Sequence, residues 1–410
     1  MAIGEDYRRG DPFERIDRDF QLMTDLGLSE WRGSISWIDQ EPVRGQYDFA
    51  WLDEFLVRAE RHGITLHPYV AYTPAFAARP TGSTENRWNR PPANEADWMR
   101  FVDALGHRLM RHRNVASIEI YNEENAREWW DGKAADYARV VIDARRALPA
   151  RFRVPIVFGG LVFPDSAWVR NVCGVSGAAA SFSVLPIHAY PETWLPPDVT
   201  VESYASSIAP FVRDADAACG RKSIWVNEAG APTTADKNER DQARWWVRAV
   251  ASFLAEPRVE QIGIYRLRDL PVDQPSIGGE PNYHLGLVYT DGRPKLAFHT
   301  IRLLHDLLDV GRLTSLDSGF IVTSPHPGEL HAHLFERADG DRVLIMWDRT
   351  ETSMASVQLG ESGSGLVEYA LDGTRVESPV FDGRAFRERL ERGEPRIYRI
   401  VSRDSDERRR

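Results

Sequence analysis

The sequence has little cysteine, no long apolar run and almost no concentrated positive charge. Two cysteines in 410 residues, Cys173 and Cys219, exclude a disulfide framework of the kind that staples small secreted domains. Both fall in helical stretches or at their ends, so they read as free thiols. No apolar stretch reaches the length of about 18 residues that a membrane-spanning helix needs, so no membrane span is expected. The net charge is −10 and the only basic run is the end of the chain, DSDERRR, which argues against a nucleic-acid partner. The opening residues MAIGEDYRRGDPF lack the apolar centre of a signal peptide, which predicts a cytoplasmic protein, or a secreted one if a leader has been removed. Neither GxGxxG nor GxxxxGK[ST] follows any strand-like segment, so a nucleotide site has no support and no cofactor is expected.

What is there is ordinary for a globular chain, at 42% hydrophobic and 27% charged residues, with a lean towards aromatics in its 13 Trp, 13 Tyr and 17 Phe. From the start to about residue 310, helix-like and strand-like segments alternate. Ile16, Phe20 and Met23 recur at helical spacing up to Gly27, and Leu52, Phe55, Leu56 and Ala59 do so up to Gly63. Short apolar strands are predicted near 1–5, 31–37, 64–72, 116–122, 154–160, 182–189, 222–227 and 260–266. This alternation reads as βα units and a parallel sheet. It predicts an α/β fold, a (β/α)8 TIM barrel over 1–310, with a doubly wound sheet as the runner-up. Beyond it the pattern changes to short strands near 319–323, 329–336, 342–348, 353–359, 365–371 and 395–402, separated by HPG, ADGD and LDG turns. Residues 311–403 therefore read as a C-terminal antiparallel β-sandwich domain, and 404–410 as a disordered tail.

Catalytic groups in such barrels sit where strands end, at the C-terminal face. The fourth strand reads SIEIYNEEN. Alternation would turn Glu119, Tyr121 and Glu123 towards the axis, with Glu123 at the open mouth. The seventh reads KSIWVNEAG, where Ile224, Val226 and Glu228 share a parity and Glu228 again ends the strand. Strands four and seven face each other across the mouth, so the two carboxylates can oppose. Glycosidic cleavage needs such a pair, one protonated and one ionised; about 5–5.5 Å between them retains configuration and about 6.5–9.5 Å inverts it.

At this point the sequence resembles clan A of the glycoside hydrolases, most like its families 39 and 5. The segments that carry the resemblance are GLSEWRGSISWIDQEPVRGQYDFAWLDEFLVRAERHGITLHPYVAYTP, IEIYNEEN, SVLPIHAYP, IWVNEAG and HLGLVYTDGRPKLAFHTI. It implies a retaining hydrolase of an oligosaccharide, polysaccharide or glycoside, working through a covalent glycosyl-enzyme intermediate. Carried over, Glu123 would be acid/base and Glu228 nucleophile. Asn122 would bond the sugar 2-hydroxyl, Arg32 would keep Glu228 ionised, Tyr190 would donate to Glu228, and His188 would line the sugar subsite. Arg32 could instead pair with Glu119.

Two departures stand out. Glu124 follows Glu123 where the clan often has proline, which leaves Glu124 as a second candidate acid. The eighth strand reads IGIYRLRD, and Arg266 takes the place of the tryptophan that usually floors the sugar. A cation there would suit an acidic sugar, unless Arg266 pairs with Asp269 or Glu280. Trp37, Tyr72, Trp88, Trp129, Trp130 and Trp194 are candidate stacking platforms, and the loop RPTGSTENRWNRPPAN is a candidate cleft wall. His331 and His333 have metal-ligand spacing but read as an alternating strand, so no catalytic metal is expected. A non-catalytic sugar-binding barrel and a transglycosylase using the same carboxylates are the alternatives.

Overall fold

The computed structural model describes residues 1–80, 87–273, 275–308, 313–316, 318–324 and 330–402. The tail 404–410, the HPG turn and part of the loop after the third strand lie outside the described residues. Eight parallel strands close into a barrel in sequence order: β1 (Ala2–Gly4), β2 (Glu30–Ser36), β3 (Thr65–Ala71), β4 (Ile118–Ile120), β5 (Ile156–Val157), β6 (Val184–Ala189), β7 (Ser223–Ala229) and β8 (Val259–Tyr265). The doubly wound alternative is thereby set aside, because β8 pairs with β1 and closes the sheet. The helices carry the apolar stripes read from the sequence. In Phe13–Asp25 the residues Ile16, Phe20 and Met23 are buried, and in Ala50–Arg61 the residues Leu52, Phe55, Leu56 and Ala59 are buried. Burying such a stripe against the sheet is what stabilises a short helix in a protein.

The chain divides into two compact units, and the division is not one cut near residue 310. The first unit comprises residues 1–189, 206–229 and 261–267, and the second 190–205, 230–260 and 268–410. Cys173 and Cys219 end the helices Ser166–Cys173 and Val201–Cys219 and are joined by a disulfide, with Cα atoms 5.4 Å apart. The free-thiol reading is therefore corrected. Two cysteines separated by 46 residues are brought together by packing that no local pattern reports.

In the second unit, β9 (Leu313–Leu316), β10 (Phe320–Thr323), β11 (Leu330–Arg337), β12 (Arg342–Asp348), β13 (Ser353–Leu359), β14 (Gly365–Tyr369), β15 (Arg375–Val376), β16 (Ala385–Leu390) and β17 (Arg396–Val401) form two antiparallel sheets. One has the order β10-β13-β16 and the other β15-β14-β17-β12-β11-β9. Leu334, Leu344, Met346, Val357, Phe386 and Tyr398 belong to the core of this sandwich. β16 escaped the sequence reading because in AFRERL only Phe386 and Leu390 are buried among charged residues. His331 and His333 stack near Trp347, with ring centroids 5.3 and 5.6 Å from it, as alternate residues of β11.

Candidate active site

The barrel mouth of the first unit is built around Arg32 of β2. Its Nε and Nη2 donate to both oxygens of Glu119, at 2.8 and 2.7 Å, its Nη1 donates to Glu228 Oε2 at 2.7 Å, and Nη2 donates to Asn122 Oδ1 at 2.7 Å. Arg32 thus pairs with Glu119 and with Glu228 at once. It is only 3% exposed, and burial would lower its pKa, but Glu119 first and then Glu228 outweigh that and hold the guanidinium charged. Because Arg32 can only donate, Asn122 must turn its carbonyl oxygen inward, which leaves its Nδ2 without a hydrogen bond among the described residues.

Glu123 reaches the mouth by a route that alternation does not give. β4 ends at Ile120, and Tyr121 and Glu123 both take left-handed backbone conformations, with φ of 62° and 55°. Tyr121 does not face the axis as expected. Its ring packs on Trp98 and Trp130, and its hydroxyl lies 2.6 Å from Thr73 Oγ1. The irregular turn brings Asn122 and Glu123 together instead, and such conformations concentrate where a site constrains the chain. Glu123 lies 2.7 Å from His188 Nδ1 and is buried. Burial raises its pKa, and the charge of Glu228 adds to this while His188 and Arg32 oppose it. Glu124, the other candidate acid, is 1% exposed and faces Gly159. Burial raises its pKa as well, but it is not in the mouth.

Glu228 also arrives against the expected parity. The pairing of β6 with β7 runs Ile187 to Val226 and then His188 to Glu228, so Asn227 is an extra residue in a bulge. Asn227 points inward and donates to Glu119 Oε2 at 2.9 Å, and the bulge re-aims Glu228 to the same side. The Asn227 carbonyl rests against Gly263 of β8, where a Cβ would lie 1.9 Å from its oxygen. Among the described residues, Glu123, His188 and Glu228 offer one donor atom each, all within 4.8 Å of one another.

The remaining candidates separate. His188 is 0% exposed, so it cannot line a sugar subsite as expected; it stands behind Glu123. Trp37 is a core residue packed on Trp98 and Phe101, with its Nε1 donating to Glu41, and it is corrected as a platform. Trp130 is corrected likewise, packed between Tyr121 and Tyr137 at 2% exposure. Tyr72, Trp88 and Trp129 remain partly exposed and form an edge-to-face row, with centroids 5.6 and 5.7 Å apart. Tyr190 and Trp194 belong to the second unit and pack on each other at 4.6 Å. Arg266 pairs with Glu5, its Nε donating to Glu5 Oε2 at 3.1 Å, and not with Asp269 or Glu280. Tyr265, paired with Gly4, is the aromatic that ends β8.

The sequence reading missed Asp6 and Gly160. Asp6 follows β1 and accepts from the Ser34 backbone N–H and the Tyr69 hydroxyl, both at 2.9 Å. Burial raises the pKa of its carboxyl, against the lowering charge of Arg266. Gly160 donates its N–H to Glu119 at 2.9 Å and accepts from the Glu123 N–H at 2.8 Å. The strand-end rule applied to IGED would have found Asp6; Gly160 has no signal beyond the Gly-Gly pair after β5.

The chain is similar in fold to clan A glycoside hydrolases, among them members of families 39, 30 and 5. The sequence profile of glycoside hydrolase family 42, described as beta-galactosidase, matches residues 8–95. The chain is 30% identical over 133 residues to beta-galactosidase BgaA of Clostridium cellulovorans, a match covering 31% of this chain and 20% of that protein. It is 35% identical over 120 residues to beta-galactosidase Bga of Halorubrum lacusprofundi, covering 28% and 15%. These matches span a fifth or less of either relative. A family 39 glycoside hydrolase of Bacteroides cellulosilyticus WH2 superposes with a TM-score of 0.73 at 18% identity, covering 98% of this chain and 80% of that one. A monomeric beta-xylosidase of Caulobacter crescentus CB15 does so with a TM-score of 0.68 at 14% identity, covering 98% and 96%.

Proposed function

We propose that this clan A, family-39-like barrel is a retaining glycoside hydrolase with Glu228 as nucleophile and Glu123 as acid/base. The observation that carries the reading is the approach of a Glu123 oxygen to within 4.8 Å of a Glu228 oxygen, which supports the retaining geometry of about 5–5.5 Å over the wider inverting one. In the first step Glu228 attacks the anomeric carbon while Glu123 gives its proton to the glycosidic oxygen, and the leaving group departs as an alcohol. In the second, the Glu123 carboxylate takes a proton from water, whose oxygen attacks the same carbon and frees Glu228. The two groups differ in environment as the chemistry asks: Glu228 holds the Arg32 guanidinium, whereas burial raises the pKa of Glu123 and so favours its protonated form. Asn122 Nδ2 is a donor for a hydroxyl beside the reacting carbon, and the row of Tyr72, Trp88 and Trp129 is a stacking surface.

The relatives' names make neutral β-galactosides and β-xylosides the first substrates to try. The test is hydrolysis of aryl glycosides followed by NMR of the first-formed product anomer. Retention supports the reading; inversion, or a barrel that binds sugar without turnover, overturns it. A transglycosylase would show itself by transfer to an added sugar acceptor in place of release to water.

The Glu123, His188 and Glu228 cluster also has the donor types of a metal site. Arg32 speaks against that use, since a dication would sit beside a guanidinium already 2.7 Å from Glu228. Of the two locations weighed, the Cys173–Cys219 disulfide supports export to an oxidising compartment.

A further inference from the structure

Asp6 is held by hydrogen bonds to one of its two carboxyl oxygens. Its Oδ1 takes two donors, the Ser34 N–H and the Tyr69 hydroxyl, and the Tyr69 hydroxyl in turn lies 3.1 Å from that of Tyr72. Two donors on one oxygen fix the plane of the carboxyl. Asp6 is partly exposed, and its Oδ2 accepts no hydrogen bond from the described residues. Tyr69, which holds Asp6, carries the Arg32 guanidinium over its ring at 4.7 Å from the centroid, and Arg32 in turn bonds Glu228, so Asp6 stands on the mouth that holds the carboxylate pair.

The cations nearby are already engaged. Arg266 is 3% exposed and paired with Glu5, and Arg32 is shared among Glu119, Asn122 and Glu228. Around the mouth the four carboxyl groups of Glu5, Asp6, Glu119 and Glu228, leaving aside the acid Glu123, outnumber the two guanidinium groups of Arg32 and Arg266. A substrate carboxylate brought here would meet this excess of negative charge and, among the described residues beside Asp6, find Arg32 and Arg266 already paired, and such a repulsion can discriminate between substrates as an attraction does. A sugar hydroxyl would find in Oδ2 an acceptor that can only accept while ionised.

We propose that Asp6 is a specificity-determining residue of the innermost sugar subsite, accepting a hydrogen bond from a ring hydroxyl of a neutral glycoside and excluding uronides. This rests on the glycosidase reading above, and it reverses the acidic-sugar expectation drawn from Arg266 in the sequence.

The test compares the wild type with Asp6→Asn and Asp6→Glu on neutral aryl glycosides, the matching aryl uronides, and a monodeoxy series of the best neutral substrate. Asn keeps an Oδ1 acceptor for Ser34 and Tyr69 but replaces the Oδ2 acceptor by an Nδ2 donor and removes the charge. We expect the wild type to prefer neutral glycosides, and Asp6→Asn to lose on the order of 10- to 100-fold in kcat/KM on them, as for a hydrogen bond to a charged group. One deoxy position should cost the wild type a similar factor and cost Asp6→Asn almost nothing more, since the pair then shares one interaction. Wild-type preference for uronides, or an Asp6→Asn enzyme within about twofold of wild type on every neutral substrate, overturns the role of Asp6 and leaves the glycosidase reading standing. A wild type inert on the whole panel overturns that reading and this proposal with it. If Asp6→Asn does not fold, the wild type's neutral-to-uronide ratio and the Asp6→Glu variant decide the matter.

Discussion

Gly160 lies so close beneath His188 that a Cβ at position 160 would stand 2.0 Å from the imidazole Nε2. Only a glycine lets His188 sit where its Nδ1 meets Glu123, and the same residue bonds Glu119 and the Glu123 backbone. Gly160→Ala must push the imidazole out of line. We expect kcat to fall by about 100-fold or more, as a displacement of about 1 Å does in a positioned site. KM should change little. Steady-state kinetics and a melting curve check this; an active, stable Gly160→Ala enzyme contradicts the role given to His188.

The pH profile follows from the raised pKa of Glu123. A general acid works only while protonated, so activity is present at low pH and lost as pH rises through the group's pKa. The basic limb of kcat/KM is expected above the usual glutamate value of about 4.3. His188 lowers the Glu123 pKa, so His188→Ala should move that limb to higher pH even as it slows the reaction. A limb that stays put, or moves down, contradicts the assignment.

Much of this site was legible in the sequence, and the failures have physical causes. All eight barrel strands lie close to their expected positions, because buried strands and amphipathic helices carry strong periodic signals. Glu123 and Glu228 were found by the strand-end rule. The parity argument behind them was wrong at both, since left-handed residues at Tyr121 and Glu123 and the bulge at Asn227 each break alternation. Trp37 and Trp130 looked like sugar platforms because an indole in a loop reads the same whether it faces a cleft or the core. Arg266 was assigned a ligand because its partner, Glu5, is distant in sequence and adjacent only through closure of β8 on β1.

The disulfide carries a stability prediction. Closing a loop of 46 residues restricts the unfolded chain by about 4 kcal/mol in the loop-entropy picture. Cys173→Ala, or reduction of the wild type, is expected to lower the denaturant midpoint accordingly, with little change in kcat. Thiol titration of the unfolded, unreduced protein should find no free thiol; two would return the cysteines to the free state.

Metal removal should be without effect. Prolonged dialysis against EDTA is expected to leave kcat/KM unchanged and added zinc to inhibit, if it acts at all, by competing for Glu123, His188 and Glu228. Loss of activity restored by a divalent ion would favour the metal reading of that cluster.

The covalent step itself is open to capture. A 2-deoxy-2-fluoro glycoside with a good leaving group slows both steps, the second more, so the glycosyl-enzyme accumulates. Peptide mass spectrometry of the inactivated protein should find one sugar, on Glu228, and none in Glu228→Gln. A label on Glu123 or Glu124, or turnover persisting in Glu228→Gln, would contradict the assignment of Glu228 as the group that attacks the sugar.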